Sequence, residues 1–245
     1  MKIIQVNSYQ DMSQRASQFI INKISNNNAL KLGFATGGTP KGTYELLIED
    51  YKQNQTSYQN ITSFNLDEYI GLSKDHPNSY HQYMEQILFQ HIDIPKANIH
   101  LPDGLATDIA LECKNYEELI EVNGGIDLQI LGIGENGHIG FNEPGTSFDT
   151  LTHVVKLAKS TREANARYFS NINEVPTHAI TMGIQSILKS KEILLLVSGE
   201  NKAEAVKRLL TDDVDSNFPA SALKKHPRVT IIADKLALSN AMVPC

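Results

Sequence analysis

A chain of 245 residues with 41 % hydrophobic and 20 % charged side chains, 15 Gly and 9 Pro, has the makeup of one large globular domain and excludes collagen-like, coiled-coil and disordered classes. Its 28 acidic against 22 basic residues give a formal charge of −6 with no basic run, so nucleic acid and anionic membranes are unsuited partners and any anionic ligand must be held by local groups. Cys113 and Cys245 lie far apart and outside any C-x-x-C pair, no apolar run approaches the ~20 residues that span a bilayer, and Met1 to Val6 turns polar at Asn7, unlike a signal peptide; a cytoplasmic setting is expected.

In chain order, strands are expected near Ile3–Val6, Leu30–Ala35, Ile61–Leu66, Ile126–Leu131, Thr152–Leu157, His178–Met182, Ile193–Val197 and Val229–Ala233. Helices fill most of the gaps. Over Asp11–Ile24, Ala16, Phe19, Ile20, Lys23 and Ile24 recur at helical spacing, and Asn26 to Asn28 end the run. Tyr44, Leu47 and Ile48 continue a helix from Pro40, with Thr39 as its N-cap. Asn78 or Ser79 caps a helix towards Phe89, Asp108 opens one towards Val122, Ser160 or Thr161 opens one towards Phe169, and Gly124-Gly125 turns the chain into a strand. Alternating strands and helices predict one α/β domain over residues 1–245, an open, mostly parallel twisted sheet with helices on both faces. No repeat or linker divides it, and the long irregular stretch from Gly132 to Thr150 is where chemistry is expected first.

Three loops at strand ends carry candidate groups. Thr36-Gly37-Gly38-Thr39-Pro40 joins a strand to a helix; its glycines leave amide hydrogens free beside a helix dipole, a cradle for phosphate, although a plain strand-to-helix turn uses the same residues. Phe64-Asn65-Leu66-Asp67-Glu68-Tyr69 runs a strand into two carboxylates at the edge where open sheets bind ligands, so Asp67 is a candidate base, the alternative being a solvated acidic pair. Gly132-Ile133-Gly134-Glu135-Asn136-Gly137 matches G-x-G-x-x-G, but Gly140, Pro144 and Gly145 deny it the following helix, and Thr152 to Lys159 holds no ribose-binding acid, so no dinucleotide is expected. His138, between Asn136 and Glu143, is suited to proton transfer. Arg162 and Arg167 after Ser160 and Lys202 beyond Ile193–Val197 are the available cations; Lys202 starts a helix at the carboxyl edge of the sheet, although taken alone a solvated surface lysine is its more ordinary reading, and no spacing suggests a metal.

With Thr36-Gly37-Gly38-Thr39-Pro40, Phe64-Asn65-Leu66-Asp67-Glu68-Tyr69 and Gly134-Glu135-Asn136-Gly137-His138-Ile139-Gly140-Phe141-Asn142-Glu143-Pro144 in this order, nearly the whole chain closely resembles the glucosamine-6-phosphate deaminases of the glucosamine/galactosamine-6-phosphate isomerase family. The resemblance implies a Rossmann-like fold without dinucleotide and, with no cofactor, conversion of D-glucosamine 6-phosphate and water to D-fructose 6-phosphate and ammonium in amino-sugar catabolism. It implies Asp67 as the base at C2, His138 as the ring-opening acid–base positioned by Asn136 and Glu143, and phosphate on Gly37, Gly38 and Thr39 with Arg167 and Lys202. A lid is expected within 144–176. Where some members carry Asp, Asn136 can hydrogen-bond His138 but supplies no charge. Thr150 to Val155 lacks the basic cluster of members activated by N-acetylglucosamine 6-phosphate, and the chain ends at Cys245; no such activation, and a monomer or small homo-oligomer, are expected. The competing readings are a non-catalytic sugar-phosphate sensor, disfavoured because no helix-turn-helix precedes the fold, and a 6-phosphogluconolactonase-like hydrolase, which leaves Asp67 and the His138 loop without a paired task.

Overall fold

The computed structural model describes residues 1–241, apart from the side chains of Ser160 and Ala164; Cys245 lies outside the described residues. Its elements are β1 (Lys2–Val6), α1 (Tyr9–Asn26), β2 (Lys31–Phe34), α2 (Gly38–Asn54), β3 (Thr62–Asn65), β4 (Asp67–Tyr69), α3 (Tyr80–Ile87), β5 (Ile99–His100), α4 (Ile109–Val122), β6 (Leu128–Leu131), β7 (His153–Lys156), α5 (Lys159–Asn165), β8 (His178–Thr181), α6 (Ile184–Leu188), β9 (Ile193–Val197), α7 (Ala203–Thr211) and β10 (Val229–Asp234). All eight expected strands are present. Three helices start where a side-chain acceptor allows it: Ser8, Ser79 and Asp108 accept the N–H three residues on, at 3.1, 3.0 and 2.9 Å, relieving otherwise unpaired donors of the first turn.

Seven strands form one parallel sheet in the order β1-β10-β9-β6-β2-β3-β5. The continuous apolar run of β9 follows from burial on both faces: Ile193, Leu195 and Val197 join a core with Val206 and Leu209 of α7, while Leu194 and Leu196 join another with Ile20 of α1 and Leu47 of α2. After β5 the chain returns to the other side of β2, so a crevice opens between β2 and β6 at their carboxyl ends.

Three expectations need correction. β7 and β8 leave the main sheet and pair antiparallel, with β4 on the far side of β8, as a second sheet. The alternating half-buried and exposed positions of His153-Val154-Val155-Lys156 suit a sheet packed on one face only. β4 and β5, three and two residues long, are too short for a pattern to register. The second correction is at α2: Thr39 is not an N-cap and Pro40 not the start, because Gly37 caps the helix and Gly38 begins it, with no side-chain bond at the cap. Gly37 holds φ +98° and ψ −176°, a region closed to side chains, so the chain enters the helix two residues early. α5 likewise begins at Lys159, after Ala158, and breaks into a 3₁₀ turn at Ala166–Tyr168 before Phe169.

Candidate active site

Strands β9, β6, β2 and β3 are neighbours, and the segment after the carboxyl end of each carries a candidate group: Lys202, His138, Gly37 and Asp67 respectively. Sequence-distant groups thus share one edge of the sheet.

After β2, Gly37 and Gly38 present open backbone: a Cβ on either would meet nothing within 4 Å. Among the described residues the N–H groups of Gly37, Gly38 and Thr39 find no acceptor, while the carbonyls of Gly37 and Gly38 are taken by the hydroxyls of Tyr83 at 2.7 Å and Tyr9 at 3.0 Å. The donors are free and the competing acceptors are turned away, as anion binding requires. Thr39 is half-buried in the first turn.

After β3, both carboxylates are buried, so neither belongs to a solvated acidic pair. Glu68 is saturated: Oε1 accepts the N–H groups of Tyr69 and Tyr80 at 2.8 and 3.0 Å, and Oε2 accepts the N–H of His81 at 3.0 Å with its ring Nδ1 at 2.8 Å. It therefore closes the N-terminal turn of α3. Asp67 receives no hydrogen bond among the described residues and is 5 % exposed. Burial first, and the Glu68 charge second, push its carboxyl up to about 8. A largely buried, unpartnered carboxylate of raised proton affinity is fitted to take a proton from carbon.

The loop after β6 is irregular yet braced. Phe141 N–H donates to Thr181 Oγ1 of β8 at 3.1 Å, Asn142 Nδ2 to the carbonyls of Ile139 and Met182 at 2.9 and 2.8 Å, and Ala220 N–H to the Gly137 carbonyl at 2.8 Å. The next helix waits until Lys159, so the G-x-G-x-x-G stretch opens no helix. The His138 ring lies over Gly134, where a Cβ would fall 2.3 Å from Nδ1. A Cβ on Gly140, two residues beyond His138, would sit 3.7 Å from Asp67 Oδ2, which places the carboxylate against the backbone of the histidine loop.

His138 Nδ1 stands 3.8 Å from Glu143 Oε2 and has no hydrogen-bond partner. Burial lowers the imidazole's proton affinity, Glu143 raises it and the nearby Lys202 lowers it again. Asn136 does not reach the imidazole, contrary to the simplest expectation. Its Nδ2 donates to Glu143 Oε2 at 2.8 Å and its Oδ1 accepts the main-chain N–H of His138 at 3.2 Å, because the tight turn Gly134–Gly137 directs it along the loop.

Lys202 ends a 3₁₀ turn and is half-buried, with burial lowering its ammonium and Glu135 opposing that shift. Arg167 is exposed, its guanidinium 4.8 Å from the Tyr168 ring. Arg162 turns inward instead, to carbonyls of its own segment. Sequence reading missed Thr161 as a partner of Glu143, at 2.6 Å, and the aromatic group Tyr69, Tyr80, Phe141 and Phe169 between the three loops. Only Phe141, inside a motif, and Tyr69, beside Asp67, carried any signal. Among the described residues no group of three His, Cys, Asp or Glu side chains is placed to hold a metal, and no helix is long and apolar enough to cross a membrane.

A family profile described as glucosamine-6-phosphate isomerases/6-phosphogluconolactonase matches residues 6–232. The chain is 59 % identical over 243 residues, 99 % of each chain, to the glucosamine-6-phosphate deaminase of Halalkalibacterium halodurans, and 53 % identical over 239 residues to glucosamine-6-phosphate deaminase 1 of Bacillus subtilis, covering 98 % and 99 %. A solved structure of a monomeric glucosamine-6-phosphate deaminase superposes with a TM-score of 0.96 at 52 % identity, over 98 % of this chain and all of the other. A 6-phosphogluconolactonase from Trypanosoma cruzi shares the fold, with a TM-score of 0.79 at 21 % identity over 99 % and 97 %.

Proposed function

The chain belongs to the glucosamine-6-phosphate isomerase/6-phosphogluconolactonase family, and we propose that within it this chain is the deaminase, turning D-glucosamine 6-phosphate and water into D-fructose 6-phosphate and ammonium. The observation that carries the reading is the convergence, on adjacent strand ends, of an open backbone cradle, an unpartnered buried carboxylate and a histidine on the loop that passes beside that carboxylate.

In this reading the phosphate lies on the N–H groups of Gly37, Gly38 and Thr39, with Lys202 and Arg167 supplying charge. His138 takes the anomeric hydroxyl proton and returns it to the ring oxygen, giving the open aldehyde; Glu143 stabilises the transient imidazolium and Asn136 holds Glu143. Asp67 then removes the C2 proton, its electron pair forms the C1=C2 bond while the carbonyl oxygen takes a proton from the substrate's own 2-ammonium group, and a neutral enol bearing an amine on C2 results. Returning the proton to C1 leaves a C2 imine. Water adds to that carbon, and ammonium leaves as the ketone forms. The raised proton affinity of Asp67 suits it to both transfers, since it must hold the proton between them. The phosphate is remote from C1 and C2, so its binding energy serves orientation.

Neither competing reading uses all of this. A sensor needs no unpartnered buried carboxylate, and lactone hydrolysis needs no base for carbon.

The test is ammonium and fructose 6-phosphate release from glucosamine 6-phosphate by the purified chain, beside Asp67→Asn. We expect turnover by the wild type and a loss of about 10²–10⁴-fold in the variant. Equal ammonium from both would remove Asp67 as the base, and none from the wild type would end the deaminase reading.

A further inference from the structure

β7 and β8 form a hairpin whose connection is a long excursion closed at its neck, where the Leu157 N–H donates to the Thr177 carbonyl at 2.9 Å. Within it, residues 158–176 are tied to one another. The Arg162 guanidinium of α5 donates to the carbonyls of Ile172 and Val175 at 2.9 and 3.0 Å, and Asn171 Nδ2 donates to Glu174 at 2.6 Å. α5 and the stretch before β8 are thereby joined into one unit. Among the described residues, one hydrogen bond leaves that unit for the rest of the chain: the buried Thr161 hydroxyl donates to Glu143 Oε1 at 2.6 Å. Its apolar counterpart is Phe169, edge-on to Tyr69 at 6.0 Å.

Glu143 therefore has two sides. Oε1 is held by the segment that also carries Arg167. Oε2 accepts Asn136 at 2.8 Å and faces the unpartnered Nδ1 of His138 at 3.8 Å, about 1 Å beyond a hydrogen bond. The carboxylate and imidazole are aimed at each other but not joined, and a small turn of the carboxylate about its hold on Thr161 would join them.

We propose that Thr161 is a positioning residue: its hydroxyl holds Glu143 Oε1 so that Oε2 is presented to His138 Nδ1. When the imidazole takes up its proton, the carboxylate turns about that hold and Oε2 closes on Nδ1. The hydrogen bond fixes the imidazole's tautomer and supplies the countercharge for the imidazolium, a stabilisation needed at the transition state rather than at binding. Rotating the Glu143 carboxylate breaks no covalent bond.

This inference rests on the deaminase reading and is tested with glucosamine 6-phosphate on the full chain and its Thr161→Val and Thr161→Ser variants, following ammonium release and the melting temperature. Valine keeps the shape and branching and removes the donor; serine restores the donor. We expect Thr161→Val to lower kcat about tenfold or more, as for loss of one bond to a charged acceptor, with KM within about threefold of wild type, and Thr161→Ser to stay within about threefold in both. Wild-type kcat in Thr161→Val, an effect confined to KM, or a serine variant as slow as the valine variant overturns the proposal. A silent wild type instead overturns the deaminase reading, and this inference with it.

Discussion

At Asp67 and Glu68 two adjacent buried carboxylates meet different surroundings, because successive residues of β4 point to opposite sides. Glu68 faces the first turn of α3 and is saturated by its donors, whereas Asp67 faces the crevice without one. The raised carboxyl of Asp67 has consequences for stability and for rate. Folding moves it from 3.8 to about 8, so between those values the folded chain keeps a proton that the unfolded chain has released, and stability falls as pH rises across that window. Asp67→Asn should therefore melt higher than the wild type at pH 8, by on the order of 5 °C, and no higher at pH 4; thermal unfolding at both values checks it. Because the base must be ionised to act, the acid limb of kcat/KM should lie near pH 8, and a limb below pH 6 in the rate profile would contradict the environment described.

Among the elements, the histidine loop is decided by close approach. Gly134 leaves room for the His138 ring that even a methyl group would fill, so Gly134→Ala should displace the imidazole and cut turnover by about 10²-fold or more. Since the strands on either side are untouched, its urea midpoint should move little; kinetics and denaturant titration together test both halves. α4 plays a different part. Glu117 Oε1 accepts the N–H of Thr152 at 2.9 Å, its hydroxyl at 2.5 Å and the hydroxyl of Ser186, tying α4 to the approaches of β7 and to α6. Glu117→Ala should lower unfolding free energy by about 2–3 kcal/mol, read from the denaturant midpoint at unchanged m-value. Elements with a capping side chain were legible in the sequence, as at Ser79 and Asp108. The start of α2 was not, because Gly37 caps through a backbone angle rather than a side chain.

For the whole molecule, a net charge of −6 has to be reconciled with an anionic substrate, and the local answer we propose is the free-donor cradle after β2 with Lys202 across the crevice, beyond β9. Lys202→Ala should raise KM for glucosamine 6-phosphate about tenfold or more, and glucosamine lacking the ester should lose kcat as well as affinity; steady-state kinetics with both sugars measures this. The amino-acid order by itself determined the eight principal strands, the starts of α3 and α4, the α/β class and the three loops that carry Asp67, His138 and the glycine cradle, since hydrophobic period, capping and turn chemistry are local properties. Only the tertiary structure decided that β7 and β8 form a second sheet, that Asp67 rather than Glu68 is left without a partner, and that Thr161 reaches Glu143. Each of these depends on which distant backbone or side chain fills a space, and no spacing along the chain encodes that.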